Sequence, residues 1–226
     1  MATVTIVGAG EVGTAMANVL RPYHEVSLVG EEKEDLARSD LLGIAFPYSS
    51  KFIFEVKKYQ DWYAKRLTVI FSTVPPGTCV ELGVVHSPVV GIHPYLEEGI
   101  KTFTRFLGGP KAGEIEYVFR RAGLKTFLFD KAETTELMKI EDTTKYGLDI
   151  EHVKQVKLDC DNWGVPFEAW RIWCDDYNSG YQKLGRSEFT RPNLVPVMGE
   201  LGGHCVKPNL EMLENKFTSF IKSLQV

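Results

Sequence analysis

The segment Gly202-Gly203-His204-Cys205 holds residue types suited to covalent chemistry, near the end of this 226-residue chain. A cysteine attacks a carbonyl carbon as the thiolate, which needs an electropositive and partly exposed environment. Cys205 is therefore either a catalytic nucleophile or a structural cysteine in a turn, and the residues leave both interpretations open. His204 beside it would suit zinc, but no further Cys or His stands at ligand spacing, so we predict no metal site.

A second segment with chemical meaning is Gly8-Ala9-Gly10-Glu11-Val12-Gly13, between an apolar strand pattern and an apolar helix pattern. This is the GxGxxG arrangement of dinucleotide-binding folds. Gly8 would make the tight turn, Gly10 would let the backbone approach a pyrophosphate, and Gly13 would let the helix pack on the strand. The N–H groups of the first helical turn, which contains Glu11 and Val12, would face the phosphates. The segment predicts a dinucleotide cofactor.

The end of the second strand pattern, at Val29, is where an acidic residue would bind the adenine ribose. Glu31 could accept hydrogen bonds from both ribose hydroxyls, which favours NAD over NADP. It could also simply begin the solvated run of residues 31–38. Pro47, which ends the next strand pattern, completes the predicted cofactor contacts on this side.

The elements that must position these residues alternate between strand and helix patterns in the first half of the chain. One strand pattern ends at Thr73, directly before the breaker Pro75-Pro76-Gly77. The alternation predicts an α/β fold, a Rossmann-type doubly wound parallel sheet over residues 1–131. Only a short connection follows the second strand, which indicates that one strand–helix unit is trimmed away there.

The second half reads as a smaller, all-helical domain over residues 132–226. Residues 131–164 predict one long helix or two in series, and residues 166–185 predict another, with Trp170 and Trp173 on its core side. An amphipathic helix over residues 210–224 is expected to close the chain. The protein is thus predicted to have two domains of unequal size.

Composition excludes several classes of protein. The net charge of −4 implies no basic face for nucleic acid or an anionic membrane. No apolar run approaches the ~18 residues of a membrane helix, and the N-terminus shows no secretory signal. The four cysteines form no CxxC pair, which favours reduced thiols and a cytoplasmic protein.

Four segments in order resemble one family, the nucleotide-sugar 6-dehydrogenases, which include the UDP-glucose and GDP-mannose dehydrogenases. They are the glycine-rich turn, then "FSTVPPGT" at 71–78, "ELMK" at 136–139 and "GELGGHCVKP" at 199–208. "YLEEG" at 95–99 is similar to a further family segment. The resemblance covers nearly the whole chain.

The resemblance implies an NAD-dependent oxidation of a sugar alcohol to a carboxylate, through a cysteine thiohemiacetal and thioester. Cys205 would be the nucleophile, and Lys139 would stabilise the oxyanion. Thr73 and Glu98 would hold the water and the nicotinamide end. The implied contacts to a sugar or sugar-nucleotide substrate come from Gly202, Gly203, His204 and Asn209. The resemblance also implies a homodimer, formed through the helix over residues 133–163.

The sequence departs from the family pattern at three positions of the site. Thr143 stands where the family has Asn, Asn209 where it has Asp, and Pro94 where it has Glu. Asn209 cannot serve as a base, so we expect an altered and impaired site. The chain also ends soon after Cys205, so we expect it to lack the family's second nucleotide-binding domain.

Two other functions stay open. One is a prephenate- or β-hydroxyacid-type dehydrogenase, because "GIHPY" around His93 is similar to a segment of the prephenate group. Neither of these types explains "GGHC". The other is a dinucleotide-binding protein without turnover, which the changes at Pro94, Thr143 and Asn209 favour.

Overall fold

A computed structural model describes residues 1–30, 32, 34–91, 94–199, 201 and 206–224. Its internal contacts divide the chain into two compact units, residues 1–140 and 141–226. The dividing point falls inside a long helix, whereas the sequence predicts a boundary between two functional domains at residue 131. That functional division stays a prediction, and each unit is described separately below.

The first unit contains a sheet of seven strands in the order β2-β1-β3-β4-β5-β6-β7. The strands are β1 (Thr3–Val7), β2 (Glu25–Val29), β3 (Ser39–Ile44), β4 (Ala64–Ile70), β5 (Val85–His86), β6 (Arg105–Gly108) and β7 (Thr126–Phe129). Neighbouring strands are parallel except for β5 and β6, which are antiparallel. The predicted α/β class with a mostly parallel, Rossmann-type sheet is confirmed.

Helices cover both faces of this sheet. They are α1 (Glu11–Leu20), α2 (Phe52–Tyr63), α3 (Thr78–Leu82), α4 (Leu96–Thr102), α5 (Ala112–Arg121) and the first turns of α6 (Ala132–Trp163). Successive strand residues point to opposite faces, so Ile6 packs in the cluster with α1, α4 and α5 while Val7 packs in the cluster with α2 and α3. This two-sided burial explains why β1, β3 and β4 are largely apolar toward their C-terminal ends.

The connection between β2 and β3 contains no helix among its described residues. Strand β1 pairs with β2 on one side and with β3 on the other. The chain therefore passes from one neighbour of β1 to the other without an intervening strand–helix unit, as the short connection in the sequence predicts.

Some elements of the first unit differ from the sequence prediction. Within the long apolar stretch of residues 83–92, the described residues, 83–91, contribute only the two-residue strand β5. The elements β6, α3 and α4 have no clear sequence pattern. Strand β4 begins at Ala64, directly after α2, although its first residues read as the end of a helix. Short elements offer too few residues to establish a period, so tertiary pairing decides them.

The second unit consists of the rest of α6, then α7 (Glu168–Lys183), a short 3-10 turn (Ser187–Phe189), α8 (Val206–Leu210) and α9 (Lys216–Ser223). Residues 132–163 form one helix rather than two. A small cluster of Leu201, Val206, Leu210 and Ile221 is buried against Leu148 and Ile150. Gly147 permits this contact, because a Cβ there would lie 2.9 Å from Cγ1 of Val206.

Two predictions for the second unit are wrong. The predicted closing helix over residues 210–224 is helical only from Lys216, where Asn215 caps α9, and its first residue, Leu210, is instead the last residue of α8. Trp173 lies 67% exposed rather than on the core side of α7. Among the described residues, none of the helices has both the length and the apolar character that crossing a membrane would need.

Candidate functional site

The glycine-rich turn between β1 and α1 is held by two close approaches. Gly8 has a φ of +106°, and a Cβ there would lie 2.8 Å from the backbone carbon of Ala45. A Cβ at Gly13 would lie 1.9 Å from the carbonyl oxygen of Gly8. Only glycine fits at these positions, because the first needs a left-handed backbone and the second brings helix and strand into contact. Both glycines therefore fix the shape of the turn.

Gly10 differs from its neighbours because a Cβ there would meet nothing within 4 Å. Its backbone is extended and it is the N-cap of α1, without a side-chain cap. The N–H groups of Val12 and Gly13, in the first helical turn, have no acceptor within the helix. The positive end of the helix dipole adds to them, so the open space at Gly10 suits an anionic group.

Two cavities flank this turn within the first unit. The larger, of about 560 Å³, runs from Gly8 and Gly10 past Gly30 at the end of β2 to the loop after β3 and the first turns of α2. The smaller, of about 440 Å³, lies between Gly10, Glu11 and Thr14 on one side and Pro94, Leu96 and Glu97 on the other. A long, two-ended ligand such as a dinucleotide has room on both sides of the turn.

The larger cavity, called here the α2 cavity, has an apolar wall and a charged rim. Phe46, Pro47 and Tyr59 line it, together with Lys51 and the ion pair of Glu55 and Lys58. The Lys58 ammonium lies 2.6 Å from the Glu55 carboxylate and 5.1 Å from the centre of the Tyr59 ring. Pro47 thus lines the cavity that begins at the glycine-rich turn. Glu31, the predicted ribose ligand, lies outside the described residues.

Thr73 lies at the same edge of the sheet as the glycine-rich turn. The N–H of Ala45 donates to the carbonyl of Val7 at 2.8 Å, and the N–H of Phe71 donates to that of Ile44 at 2.8 Å. These bonds align the ends of β1, β3 and β4, and ligands of open α/β sheets bind at this edge. Thr73, two residues after Phe71, is half-buried there.

Glu136 joins the two motifs that contain Thr73 and Lys139. Its carboxylate, fully buried, accepts the N–H of Gly77 at 2.7 Å and the N–H of Cys79 at 2.8 Å. One helical turn later, Lys139 is close enough to act on His86: burial, together with the positive charges of Arg105 and Lys139, lowers the pKa of His86 to about 3. The first turns of α6 and the loop after β4 therefore lie against each other.

Two further predicted site residues are Glu98 and Asn209. Glu98 is exposed on α4, whereas the adjacent Glu97 lines the smaller cavity and accepts the side-chain N–H of Asn18 at 2.6 Å. In the second unit, Asn209 of α8 is buried and donates to the hydroxyl of Thr143 at 3.2 Å. Two of the three positions that depart from the family pattern are thus hydrogen-bonded to each other.

Several predicted residues lie outside the part of the chain that the structure describes. They are Gly202, Gly203, His204 and Cys205, together with Glu31 and His93. Among the described residues, no group of three His, Cys, Asp or Glu side chains is arranged to hold a metal ion. The roles predicted for Cys205 and its neighbours stay predictions.

Sequence reasoning missed Glu136 and His86. Glu136 stands inside "ELMK", but a helical glutamate three residues before a lysine is also typical of a solvated helix surface. His86 stands in an apolar stretch, where a histidine gives no sign of its partners. Both side chains are fully buried, and a buried polar side chain needs partners that only the tertiary structure supplies.

Comparison with protein families gives no match to any family model, and no curated protein matches the sequence. Solved structures do match. The UDP-D-ManNAc dehydrogenase of Pyrococcus horikoshii superimposes with a TM-score of 0.78 at 16% identity, over 99% of this chain and 68% of that one. The UDP-glucose dehydrogenase of Pyrobaculum islandicum gives 0.70 at 16% identity, over 100% of this chain and 65% of that one.

A third similar structure is the 3-hydroxyisobutyrate dehydrogenase of Mycobacterium tuberculosis, with a TM-score of 0.72 at 12% identity. The match covers 100% of this chain and 92% of that enzyme. At such identities the likeness establishes the fold, a Rossmann-type sheet followed by helices.

Proposed function

We propose that this protein is a dinucleotide-dependent oxidoreductase that acts on a CH–OH group of a sugar or sugar nucleotide. The observation that carries the proposal is the contrast between the three glycines of the turn. Gly8 and Gly13 are fixed by contacts within the protein, whereas Gly10 faces open space at a helix N-terminus. Open space beside a helix N-terminus fits a pyrophosphate, and no contact within the described protein requires glycine at position 10.

The proposed cofactor is NAD, which accepts a hydride from the substrate carbon. Gly8, Gly10 and Gly13 would hold the pyrophosphate, together with the first-turn residues Glu11 and Val12. Pro47 would line the adenosine side, Glu31 would bind the ribose, and Thr73 would lie at the nicotinamide end. The apolar wall of the α2 cavity supports a nucleobase there.

The proposed chemistry on this chain's own residues involves Cys205, Lys139 and water. Bound NAD would supply the hydride acceptor for both oxidations, from alcohol to aldehyde and from thiohemiacetal to thioester. The Cys205 thiolate would add to the aldehyde carbon, and Lys139 would stabilise the resulting alkoxide of the thiohemiacetal. Thr73 and Glu98 would hold the water that adds to the thioester and releases the carboxylate and the Cys205 thiol.

We further propose that the last of these steps is slow. A carboxylate next to the thioester would activate water, and Asn209 cannot accept a proton in that way. Its amide is buried and donates to Thr143, which supports an arrangement adapted to a neutral side chain. Gly202, Gly203 and His204 would complete the substrate contacts with Asn209.

The similar structures support this substrate class through their named activities, since two are UDP-sugar dehydrogenases. They also support a second candidate, a β-hydroxyacid dehydrogenase, because the hydroxyisobutyrate dehydrogenase matches over 92% of its own length. A third candidate, a dinucleotide-binding protein without turnover, is favoured by the buried Asn209–Thr143 pair.

We also propose a cytoplasmic homodimer, with α6 at its centre and a cofactor domain over residues 1–131. Large apolar side chains stand exposed along α6, among them Met138, Tyr146 and Leu158, which supports a partner surface. Sedimentation at micromolar concentration measures this directly, and a monomer would contradict it.

The deciding experiment measures cofactor binding and turnover separately. Thermal shift with NAD and NADP tests the cofactor, and NAD reduction is then followed with sugar nucleotides, free sugars and hydroxyacids. We expect a shift with NAD that Gly10→Val abolishes, and reduction with a sugar substrate. A shift without reduction would favour the non-catalytic candidate, and reduction with hydroxyacids alone would favour the β-hydroxyacid enzyme. No shift with either dinucleotide would overturn the proposal.

A further inference from the structure

We infer that His86 is a positioning residue that sets the backbone on which Thr73 stands. This inference rests on the proposed function of the edge where β3, β4 and β5 end. His86 is the last residue of β5 and is fully buried. Its ring nitrogens contact the carbonyl of Ser72 at 3.1 Å and the hydroxyl of Thr135 at 2.9 Å.

The partners of His86 fix its tautomer. A carbonyl oxygen can only accept, so Nε2 must carry the proton that it donates to Ser72. In the neutral ring, Nδ1 then has a free lone pair that faces the Thr135 hydroxyl at 2.9 Å, a hydroxyl that also lies 3.0 Å from the carbonyl oxygen of Ala132. The lowered pKa of about 3 keeps the ring neutral throughout the physiological range. His86 therefore donates to Ser72 at any pH at which the protein would work.

The bond to Ser72 lies beyond the regular pairing of β4. The last ladder bonds on its two sides are from Ser87 N–H to the Ile70 carbonyl and from Phe71 N–H to the Ile44 carbonyl, both 2.8 Å. The Ser72 carbonyl, immediately before Thr73, is past both of them. The imidazole thus fixes the backbone one step beyond the regular pairing of β4, at the peptide bond that joins Ser72 to Thr73.

Further hydrogen bonds link the two partners of His86 to the segment after β3 and to the loop at Gly77. The Ser72 hydroxyl donates to the carbonyl of Phe46 at 2.6 Å, and Phe46 precedes Pro47 in the α2 cavity. Thr135, on the other side of the ring, stands next to Glu136, which binds the loop at Gly77. The imidazole thus connects the ends of β4 and β5 and the first turn of α6 directly, and the Ser72 hydroxyl extends this connection to the residues after β3. Each contact point lies within one residue of a group assigned above to the site.

The chain offers a matched control in His24. This histidine is also buried, and its Nε2 contacts the carbonyl of Val118 at 3.0 Å while its Nδ1 accepts the N–H of Ala2 at 3.3 Å. It precedes β2, at the opposite end of the sheet from the glycine-rich turn. A loss of general stability should follow substitution of either histidine, whereas an effect on the Thr73 loop should follow only substitution of His86.

The test uses two substitutions at each histidine. His86→Gln places an amide near the position of Nε2 and keeps a donor for Ser72. His86→Asn places it near Nδ1, keeps an acceptor for Thr135 and loses the donor to Ser72. His24→Gln and His24→Asn are the controls. Hydrogen exchange of the amides at residues 72–74 is measured in the protein without cofactor, and the NAD dissociation constant is measured by calorimetry.

We expect His86→Asn to raise the exchange rate at residues 72–74 and the NAD dissociation constant by about five- to tenfold, the loss of one neutral hydrogen bond. His86→Gln should remain within about twofold of the wild type in both measurements, since its donor is kept. If His86→Asn exchanges at residues 72–74 like the wild type, the inference is wrong, whether or not NAD binds. Faster exchange without any NAD binding by the wild type would support the positioning role and overturn the proposed function instead.

Discussion

Glu136 of α6 accepts the backbone N–H of Gly77 at 2.7 Å, across 59 residues of sequence. Gly77 is the N-cap of α3, with a φ of +96° and no side chain to cap the helix. The second carboxylate oxygen accepts Cys79 N–H at 2.8 Å. A buried glutamate thus supplies, from a distant helix, the cap that α3 lacks.

We expect Glu136→Gln to destabilise the protein by about 1–3 kcal/mol, because the amide keeps one acceptor and leaves one buried N–H without its partner. Urea denaturation measures the loss. Glu133→Gln, one turn earlier in α6, is the matched control and should change stability by less than about 0.5 kcal/mol. Equal effects of the two substitutions would show that the contact contributes nothing.

The two ends of the GxGxxG motif should respond differently to a single methyl group. Gly13→Ala should destabilise the fold by several kcal/mol or block folding, because its Cβ would lie 1.9 Å from the Gly8 carbonyl. Gly10→Ala should fold normally, since its Cβ would meet nothing within 4 Å, yet weaken dinucleotide binding by about tenfold or more. Thermal melting with and without NAD separates the two effects. A normal NAD affinity in Gly10→Ala would contradict the proposed pyrophosphate site.

The sheet could be predicted from the sequence because β1, β3 and β4 are largely apolar toward their C-terminal ends and β1 leads directly into a GxGxxG turn. The break between α8 and α9 was missed for a physical reason: the apolar face continues through residues 211–215, and periodicity alone does not register a cap. A local signal was present. Asn215 accepts the N–H of Thr218 at 3.0 Å, and Thr218 accepts the N–H of Asn215 at 2.9 Å, the reciprocal arrangement of a capping box.

The candidate site was less predictable than the fold. The glycine-rich turn could be predicted because its function is local, and each glycine acts within a few residues of itself. The contacts of Glu136 and His86 join residues 59 and 49 positions apart, and a single sequence carries no record of such pairs. The Asn209–Thr143 bond, across 66 positions, is of the same kind.

The stability of the protein should fall as the pH is lowered from 6.5 toward 3, in part because of His86. Its pKa is about 3 in the folded protein and 6.5 as an ordinary value, so the unfolded chain binds the proton first and acid favours unfolding in this window. The slope from one such group approaches about 1.4 kcal/mol per pH unit.

His86→Gln should show a shallower dependence of the free energy of unfolding on pH between pH 6.5 and 5, measured by urea denaturation. His24 contributes with the same sign, since burial lowers its pKa as well. The comparison is therefore made between the wild type and His86→Gln, with His24 present in both. If the two proteins show the same dependence of stability on pH, His86 is not a neutral, buried histidine.

Asn209 and Thr143 should behave as a coupled pair. Asn209→Asp alone would bury a carboxylate where the amide donates to Thr143 at 3.2 Å, so we expect a loss of stability. Combining Thr143→Asn with Asn209→Asp would again place a donor opposite an acceptor, and it should recover part of the lost stability. The coupling should be about 0.5–3 kcal/mol in a double-mutant cycle. Additive effects of the two substitutions would show that the contact is incidental. If thioester hydrolysis is the slow step, the double variant should also turn over faster than the wild type.

The reactivity of Cys205 distinguishes a nucleophile from a cysteine in a turn. The other thiols provide the background: burial raises the pKa of Cys79 and of Cys174, which leaves both as unreactive thiols, while Cys160 is half-buried. In a Cys160→Ser background, we expect one thiol to react rapidly with iodoacetamide near pH 7, because the thiolate is the reactive form. Peptide mapping should place the label on Cys205, and Cys205→Ser should remove it.

Lys139→Met should slow the labelling of Cys205, since the proposed role of Lys139 is to favour negative charge at the reacting centre. Slow labelling of Cys205, at the rate of a buried thiol, would leave dinucleotide binding without the covalent step and make the non-catalytic function the better account of this chain.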